Sequence, residues 1–473
     1  MKNAELIFVP APAVGHLISM VELAKLLILR DESLSVSVCI IKFPYDMGIG
    51  SYVESLSNTP IPRFTIIEIP PSDSELYKSQ SYLTIFSTFI EGHVTNVKDK
   101  VIAMTQPDHP TRLAGFVLDI FCVSMVDMAK ELNVPSYVYL TSGASYLGII
   151  LHLQAMADYE KKDICEYQNS DAQLSVPYFR NQVPAKVLPA ICVDDKGSEF
   201  ILLCGRKFRE IKGIILNTFV ELESYAVESL VADKKIPPVY AVGPNLNLTA
   251  GGQDSEEAAN VLKWLDEKPL SSVVFLCFGT FGSFPEEQVK EIALALEHSG
   301  HPFLWSLRPL AEGDPQSKYT NLDDILPPGF LERTSRTGKI IGWAPQVTVL
   351  SHRAVGGFVS HCGWNSILES VWFGVPVATW PMYAEQQLNA FEMVNELGMA
   401  VDISIDYAHH AFSKCELIFE AKVLESKIRE LMKDGSDLRK KVTEIQGKSR
   451  AAIAEDGSSY NNMGRLIEDI IAT

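Results

Sequence analysis

The sequence predicts an α/β protein with two doubly wound domains, each built on a parallel sheet. Short apolar runs alternate with helical periodicity along the chain. A strand, a glycine-bearing turn and a helix begin each half, in LIFVPAPAVGH (6–16) and VVFLCFGTFGS (273–283). A polar, glycine-containing segment at 244–256 separates the halves. Because parallel strands are joined by helical crossovers, this alternation predicts two right-handed βαβ series in tandem.

In the first half, Leu6–Val9 is a short apolar strand, and 17–29 has the apolar spacing of an amphipathic helix. His16 therefore stands at a strand-to-helix junction. The polar, proline-containing stretch 160–195 is predicted to lie outside the core. The other predicted strands are 35–41, 64–70, 113–119, 135–140, 213–219 and 239–242, and the other predicted helices are 80–104, 123–132, 143–156 and 220–231.

The second half is predicted to begin with a helix at 257–267 and a buried strand at 273–278. A charged helix at 417–447 and an amphipathic terminal helix at 460–471 end the chain. The remaining predicted strands are 302–308, 338–342, 355–361, 376–380 and 399–403.

Composition narrows the functional class. The chain has 473 residues, of which 47% are hydrophobic and 21% charged, as in ordinary soluble globular proteins of two or three domains. Its net charge of −18 disfavours binding to nucleic acid or to an anionic membrane surface. An anionic ligand is therefore expected to be held by local dipoles.

Cysteine usage and the absence of long apolar runs indicate a cytoplasmic protein. The eight cysteines are scattered without a C-x-x-C pair, as expected of reduced thiols. The N-terminus does not resemble a signal peptide, and no run of eighteen apolar residues predicts a membrane span.

The stretch 343–386, WAPQVTVLSHRAVGGFVSHCGWNSILESVWFGVPVATWPMYAEQ, carries the strongest chemical signal. Its apolar run 355–361 predicts a buried strand, and 366–371 reads as helix, with Asn365 and Ser366 as candidate N-caps. The turn between them contains His361 and Gly363. Free backbone N–H groups and the helix dipole converge at such a junction, which favours a phosphate-bearing ligand.

The flanks of this stretch add two further recognition elements. Trp343, beside Ala344 and Gln346, suits stacking on a base and hydrogen bonding to a ring edge or a ribose hydroxyl. Glu385 and Gln386 suit hydrogen bonding to sugar hydroxyls. Base, diphosphate and sugar together predict a nucleotide sugar.

From its first Trp to its last Gln, the stretch resembles the 44-residue signature box of plant family-1 UDP-glycosyltransferases. The resemblance implies a GT-B fold, with two Rossmann-like domains facing each other across a ligand cleft. It implies an acceptor-binding domain at 1–244 and a UDP-sugar-binding domain at 245–457, with the helix 458–473 packing back on the first. A monomer is expected.

His16 is the candidate base for transfer to an acceptor hydroxyl. The helix dipole disfavours the imidazolium at this position, although a turn histidine on its own is more often a plain surface residue. Asp119 ends an apolar strand, where α/β active sites gather, and a His oriented by an Asp is the pair of base and orienting group found in many hydrolases and transferases. On its own, Asp119 could equally be a helix N-cap. In the family the matching His and Asp act as an inverting dyad.

The resemblance also implies a donor site and an acceptor site. Trp364 and the terminal Gln386 are the residues that accompany UDP-glucose in the family. No metal or other cofactor is expected. Acceptor residues are weaker, because a core role for an apolar side chain is about as common. The expected donor-site residues are Thr141, Thr280, Trp343, Ala344, Gln346, His361, Trp364, Asn365, Ser366, Glu369, Glu385 and Gln386, and the acceptor candidates are Phe121, Tyr146, Tyr383 and Ala384, with Met382 also considered.

These observations predict an inverting UDP-glucose-dependent O-glucosyltransferase acting on a phenolic, flavonoid or terpenoid hydroxyl. A nucleotide-sugar 2-epimerase shares the fold and substrate but needs no acceptor. An NAD-dependent dehydrogenase is disfavoured because the first turn lacks G-x-G-x-x-G. A binding-only protein would need a disabled base. His352 and the pair His409-His410 have no partner cluster with metal-ligand spacing.

Overall fold

The chain divides into two compact units. In the computed structural model, which describes residues 3–44, 49–72, 84–106, 108–248, 256–309, 319, 321–408 and 417–472, one unit comprises Met1–Lys186, Ala190–Asn247 and Ala451–Thr473. The other comprises Val187–Pro189 and Leu248–Arg450. The two main divisions fall at 247/248 and 450/451, beside the expected 244/245 and 457/458.

The first unit is a βα series, as predicted. Its strands are β1 (Ala4–Val9), β2 (Leu34–Ile40), β3 (Phe64–Glu68), β4 (Arg112–Asp119), β5 (Ser136–Leu140), β6 (Gln173–Leu174), β7 (Val183–Pro184), β8 (Gly213–Leu216) and β9 (Val239–Ala241). Its helices are α1 (Val14–Arg30), α2 (Ile49–Asn58), α3 (Ile85–Glu91), α4 (Val94–Val101), α5 (Met125–Glu131), α6 (Ala144–Tyr159), α7 (Ala190–Val193), α8 (Asp195–Lys207) and α9 (Ser224–Ala232).

Seven of these strands form one parallel sheet in the order β3-β2-β1-β4-β5-β8-β9. The strands are buried on both faces at its centre, which accounts for their continuous apolar runs. The winding direction reverses between β1 and β4, so the loops after these two strands open a crevice at the carboxyl edge.

The second unit repeats the pattern. Its strands are β10 (Val273–Cys277), β11 (Phe303–Ser306), β12 (Gly338–Ile341), β13 (Val355–Ser360), β14 (Val377–Thr379) and β15 (Ala400–Asp402). Its helices are α10 (Glu256–Asp266), α11 (Glu286–Ser299), α12 (Phe330–Arg333), α13 (Gln346–Leu350), α14 (Trp364–Phe373), α15 (Gln386–Phe391), α16 (Ala421–Met432) and α17 (Asp437–Ile453), whose last residues belong to the first unit.

The six strands of the second sheet are parallel, in the order β12-β11-β10-β13-β14-β15. Here the winding reverses between β10 and β13. The fold class predicted from the sequence, two doubly wound α/β units, is confirmed.

The terminal helix α18 (Ser458–Ile471) belongs to the first unit. Its apolar stripe joins the core formed by α1 and the sheet, and Met463, Leu466 and Ile470 are buried there. Ser459 Oγ donates to the Gly243 carbonyl, and Arg30 stacks its guanidinium on the Tyr460 ring. Apolar burial and polar contacts therefore both fix this helix.

Some elements differ from the prediction. The helix predicted at 417–447 is two helices, because Gly435 adopts φ +64° between them. The described part of 80–104 is likewise divided between α3 and α4. The stretch 160–195 was wrongly placed outside the core: Leu174, Phe179 and Val183 are buried, although their spacing follows no strand or helix period. Positions 80–83, 249–255 and 409–410 lie outside the described residues.

Candidate active site

His16 and Asp119 meet at the crevice of the first sheet. His16 lies in the first turn of α1, which follows β1, and Asp119 is the last residue of β4. Because β1 and β4 are neighbours at the reversal point, their carboxyl ends bring the two side chains together.

His16 Nδ1 lies 2.7 Å from Asp119 Oδ2. The Asp119 side chain is fully buried, whereas that of His16 is 27% exposed. The other carboxylate oxygen, Oδ1, accepts a 3.0 Å hydrogen bond from Phe121 N and caps the short 3-10 turn after β4. One oxygen of Asp119 therefore caps this turn, while the other is bonded to His16.

Thr141 lies beside this pair. It follows β5, the next strand in the sheet, and its Oγ1 is 3.3 Å from His16 Nδ1. The buried carboxylate of Glu223 binds the first two backbone amides of the next helix, α6. It accepts from Ala144 N at 2.9 Å and from Ser145 N at 2.8 Å. This cap fixes the short loop in which Thr141 lies.

Four phenylalanines, here called the aromatic cluster, extend from His16: Phe43, Phe86, Phe121 and Phe200. The Phe121 ring centroid is 5.6 Å from His16, 5.6 Å from the parallel Phe200 ring and 5.9 Å from Phe86. Phe86 is 5.4 Å from Phe43. Phe200 is buried, and the other three are half-buried.

Sequence reasoning identified only Phe121 of this cluster. The other members come from separate loops and helices without a common motif, so only the fold brings them together. Tyr146, the other acceptor candidate in this unit, is 9% exposed on α6 and packs largely as a core residue.

The reversal point of the second sheet has a glycine that no other residue can replace without strain. Gly279, after β10, has φ +70°, and a Cβ there would lie 2.5 Å from His361 Nε2. His361 follows β13, the neighbouring strand. Thr280 follows Gly279 in the same turn. The predicted phosphate residues of the two loops are thus adjacent.

Helix α14 begins two residues earlier than predicted. Its N-cap is Gly363, with extended backbone and no side-chain cap, so the assignment of Asn365 and Ser366 as N-caps is wrong. The left-handed Cys362 (φ +63°) lets the chain turn immediately after the strand. Asn365 and Ser366 therefore lie inside the first helical turn. The amides of this turn still point out of the helix end. Trp364 is buried.

His361 is a neutral imidazole at physiological pH. Burial lowers the pKa of His361 to about 4, and the positive charge of Arg308 acts in the same direction. A neutral ring beside a helix N-terminus can donate one hydrogen bond to an anion without adding a charge.

Gln346, Ser366 and Glu369 form a partly buried hydrogen-bonded triad. Gln346 Nε2 donates to Ser366 Oγ at 2.8 Å and to Glu369 Oε2 at 2.7 Å. Burial raises the pKa of Glu369 to about 7, against the opposing effect of this hydrogen bond. Trp343 itself is 52% exposed and Ala344 is buried, so the indole presents a face to solvent.

Gln386 is the first residue of α15, and its side-chain carbonyl is occupied by hydrogen bonds from the preceding loop. Its Oε1 accepts from Met382 N at 2.9 Å and from Tyr383 N at 3.1 Å, which orients the side-chain amide. Glu385 is the N-cap residue. Ala384 is exposed at φ +58°. Met382, considered for an acceptor pocket, is instead a fully buried core residue.

Tyr383 is half-buried, with its ring centroid 6.4 Å from that of the exposed Phe281. Burial raises the pKa of Tyr383 to about 12. Among the described residues, no group of three or more His, Cys, Asp or Glu side chains is arranged to hold a metal ion. Nor does the described part of the chain contain a helix both long and apolar enough to cross a membrane.

Comparison with known proteins identifies the family of this chain. Residues 243–417 match the family described as "UDP-glucoronosyl and UDP-glucosyl transferase". UDP-glycosyltransferase 1 of Panax ginseng is 55% identical over 99% of this chain and 100% of its own. UDP-glucose flavonoid 3-O-glucosyltransferase 6 of Fragaria ananassa is 49% identical, with 99% of each chain covered.

Solved structures are similar over the same length. A UGT transferase of Siraitia grosvenorii in complex with UDP has a TM-score of 0.86 at 44% identity, covering 99% of this chain and 100% of that one. A Medicago truncatula UGT complexed with UDP-glucose has a TM-score of 0.85 at 41% identity, covering 99% and 98%. These neighbours have the GT-B fold that the signature box implied. The chain therefore belongs to the plant family-1 UDP-glycosyltransferases and is an enzyme of that class.

Proposed function

We propose that this enzyme transfers glucose from UDP-glucose, with inversion at the anomeric carbon, to a hydroxyl of a small hydrophobic plant metabolite. The observation that carries the proposal is the 2.7 Å hydrogen bond between His16 Nδ1 and the fully buried Asp119. The first unit supplies the acceptor site and the second the donor site. No metal takes part.

The dyad has the geometry of a base and its orienting group. A carboxylate can only accept, so Nδ1 carries the proton in this hydrogen bond and Nε2 is the basic nitrogen. Nε2 takes the proton of the acceptor hydroxyl while the oxygen attacks C1 of glucose. The bond from C1 to the diphosphate oxygen breaks, and UDP leaves. Asp119 stabilises the imidazolium formed in this step.

In the second unit, strand order supports the donor assignment. Trp343 follows β12, Gly279 and Thr280 follow β10, His361 follows β13, and Gln386 comes after β14. Base stacking, diphosphate binding and sugar recognition are assigned in that sequence along one sheet edge. The Glu369 carboxylate accepts hydrogen bonds from the ribose hydroxyls, and the first-turn amides of α14 donate to phosphate oxygens.

The aromatic cluster supports a hydrophobic acceptor. Its half-buried rings present apolar surface beside the base, and they offer flat faces to a planar aglycone. The Fragaria ananassa relative is named as a flavonoid glucosyltransferase, and we extend that acceptor class, together with terpenoid alcohols, to this chain.

The test is incubation with UDP-glucose and a panel of flavonoids, simple phenols and terpenoid alcohols, read by mass spectrometry and by the anomeric configuration of each product. Acceptor-dependent formation of β-glucosides and UDP is expected. Turnover of the nucleotide sugar without any acceptor would indicate the epimerase, and product with retained configuration would contradict the assigned dyad chemistry.

A further inference from the structure

Arg308 is a cation at the donor side of the second sheet that sequence reasoning did not identify. It follows β11, the strand that lies between β12 and β10. The carboxyl end of β12 leads to Trp343 and that of β10 to Gly279. Strand order alone therefore places Arg308 between the residue assigned to the base and the turn assigned to the diphosphate.

The segment carrying Arg308 is held in place by hydrogen bonds to the loop before Trp343. Ser306 Oγ donates to the Gly342 carbonyl at 2.9 Å, and Leu307 N donates to the Ile341 carbonyl at 2.9 Å. These two hydrogen bonds fix the backbone just before Arg308.

The guanidinium contacts both neighbours. Its Nη2 donates to the Gly279 carbonyl, and its Cζ lies 5.7 Å from the centre of the Trp343 indole. The planar fork of arginine can stack and donate at the same time, which a lysine cannot do. One side chain thereby joins a half-exposed indole to a turn with positive φ.

The charge of Arg308 is effective because the side chain is only 8% exposed. Its positive charge lowers the pKa of both His361 and Tyr383. Burial is the larger effect on each group; it lowers the pKa of His361 and raises that of Tyr383. In a protein of net charge −18, a buried cation at this edge creates a local positive potential that the surface does not provide.

We propose that Arg308 is the positioning residue of the donor site, which holds Trp343 and the Gly279 turn in one arrangement and supplies positive potential to the diphosphate. This inference rests on the proposed function. It amends the expectation that dipoles alone hold the anion. Because base and diphosphate belong to one ligand, tying their two subsites together favours UDP over fragments that occupy one subsite.

The experiment compares UDP and uridine binding by calorimetry for the wild type, R308K and R308M. For R308M we expect a loss of UDP affinity of about tenfold or more, as for loss of a charge-assisted contact, and a smaller loss for uridine. R308K keeps the charge without the fork and should fall between. The KM for UDP-glucose should rise while the KM for acceptor stays unchanged.

The matched control is R439M. Arg439 is a half-buried arginine of the same unit that, like Arg308, donates to backbone carbonyls, here those of Leu431 and Lys433, but it lies on α17. It should leave both affinities unchanged. If R308M does not fold, as judged by its thermal unfolding, R308Q replaces it.

Each outcome decides a separate point. UDP affinity of R308M within about twofold of wild type, or equal losses for UDP and uridine, would overturn the role of Arg308. Failure of the wild type to bind UDP would instead refute the proposed donor site.

Discussion

His16 and Asp119 are 103 residues apart in the chain and are joined by a 2.7 Å hydrogen bond. The contact depends on the parallel pairing of β1 with β4, which runs in register from Ala4 with Arg112 to Val9 with Leu118 apart from one shift. The reversal of strand order thereby brings the proposed base and its proposed orienting carboxylate into contact.

The first prediction concerns His16→Ala. Without the base, transfer to an aliphatic alcohol should fall by about 10²–10⁴, the usual effect of general-base catalysis. UDP affinity by calorimetry should stay near the wild-type value, because the residues proposed to bind the base and the diphosphate lie in the other unit. An acidic phenol at raised pH supplies its own oxyanion and should lose less. His109→Ala, in a loop of the first unit, is the control. Full transfer by His16→Ala would exclude His16 as the base.

The second prediction concerns Asp119→Asn. The amide oxygen can still accept from Phe121 N, so the turn after β4 should survive and thermal unfolding should change little. The amide nitrogen, however, donates to Nδ1 and moves the imidazole proton to Nε2, which can then no longer act as base. We expect a loss of about 10² or more in transfer rate. The double variant with His16→Ala should be little worse than His16→Ala alone, because the pair acts as a unit. Additive losses would argue for independent roles.

Sequence reasoning recovered the sheets because buried parallel strands are continuous apolar runs that stand out from their flanks. It also recovered His16 and Asp119 as partners, since both end up at carboxyl edges of strands predicted to lie in one sheet. It failed where contacts depend on tertiary packing. The buried residues Leu174 and Phe179 belong to a stretch without periodicity, so composition alone suggested a surface excursion.

The residues of the proposed sites that sequence reasoning missed were missed for physical reasons. Arg308 lies at the end of the strand predicted at 302–308, and a cation directly after a buried strand was a signal that could have been used. Phe86 and Phe200 carried no such signal, because aromatic residues are equally common in cores. The N-cap of α14 was misplaced because Asn and Ser are better caps by propensity, whereas the positive φ at Cys362 made the helix begin after Gly363.

A third prediction separates two functions of Gln386. Gln386→Ala removes the amide donor and the acceptor of the Met382 and Tyr383 amides, and should lower kcat/KM for UDP-glucose about tenfold or more. Gln386→Glu keeps an acceptor for both amides but exchanges the amide donor for a carboxylate, so donor use should still fall although these two backbone contacts are kept. Unchanged kinetics in both variants would remove Gln386 from the sugar site.

A fourth prediction concerns metals. In the proposed donor site, the leaving diphosphate is stabilised by hydrogen-bond donors and one positive charge, which come from the α14 amides, the Thr280 hydroxyl, neutral His361 and the buried Arg308. Transfer should therefore persist after exhaustive chelation, measured as initial rates with and without chelator. Loss of rate that manganese or magnesium restores would show that an ion is required.

The last prediction concerns pH and Glu369. Burial raises its pKa from 4.5 to about 7, so between these values the folded enzyme binds more protons than the unfolded chain. The free energy of unfolding should therefore fall as pH rises through this window, by the contribution of this group, and the slope should be shallower in Glu369→Gln. Glu332→Gln, at an exposed position of α12, should keep the wild-type slope.

The same carboxyl group should make UDP binding depend on pH. If the Glu369 carboxylate accepts hydrogen bonds from the ribose hydroxyls, UDP binding favours its ionised form, so UDP affinity should rise through about pH 7. Calorimetry in buffers of different ionisation enthalpy should then detect proton release. Glu369→Gln should bind UDP more weakly and without this proton release. Proton release unchanged in Glu369→Gln would assign the titration to another group.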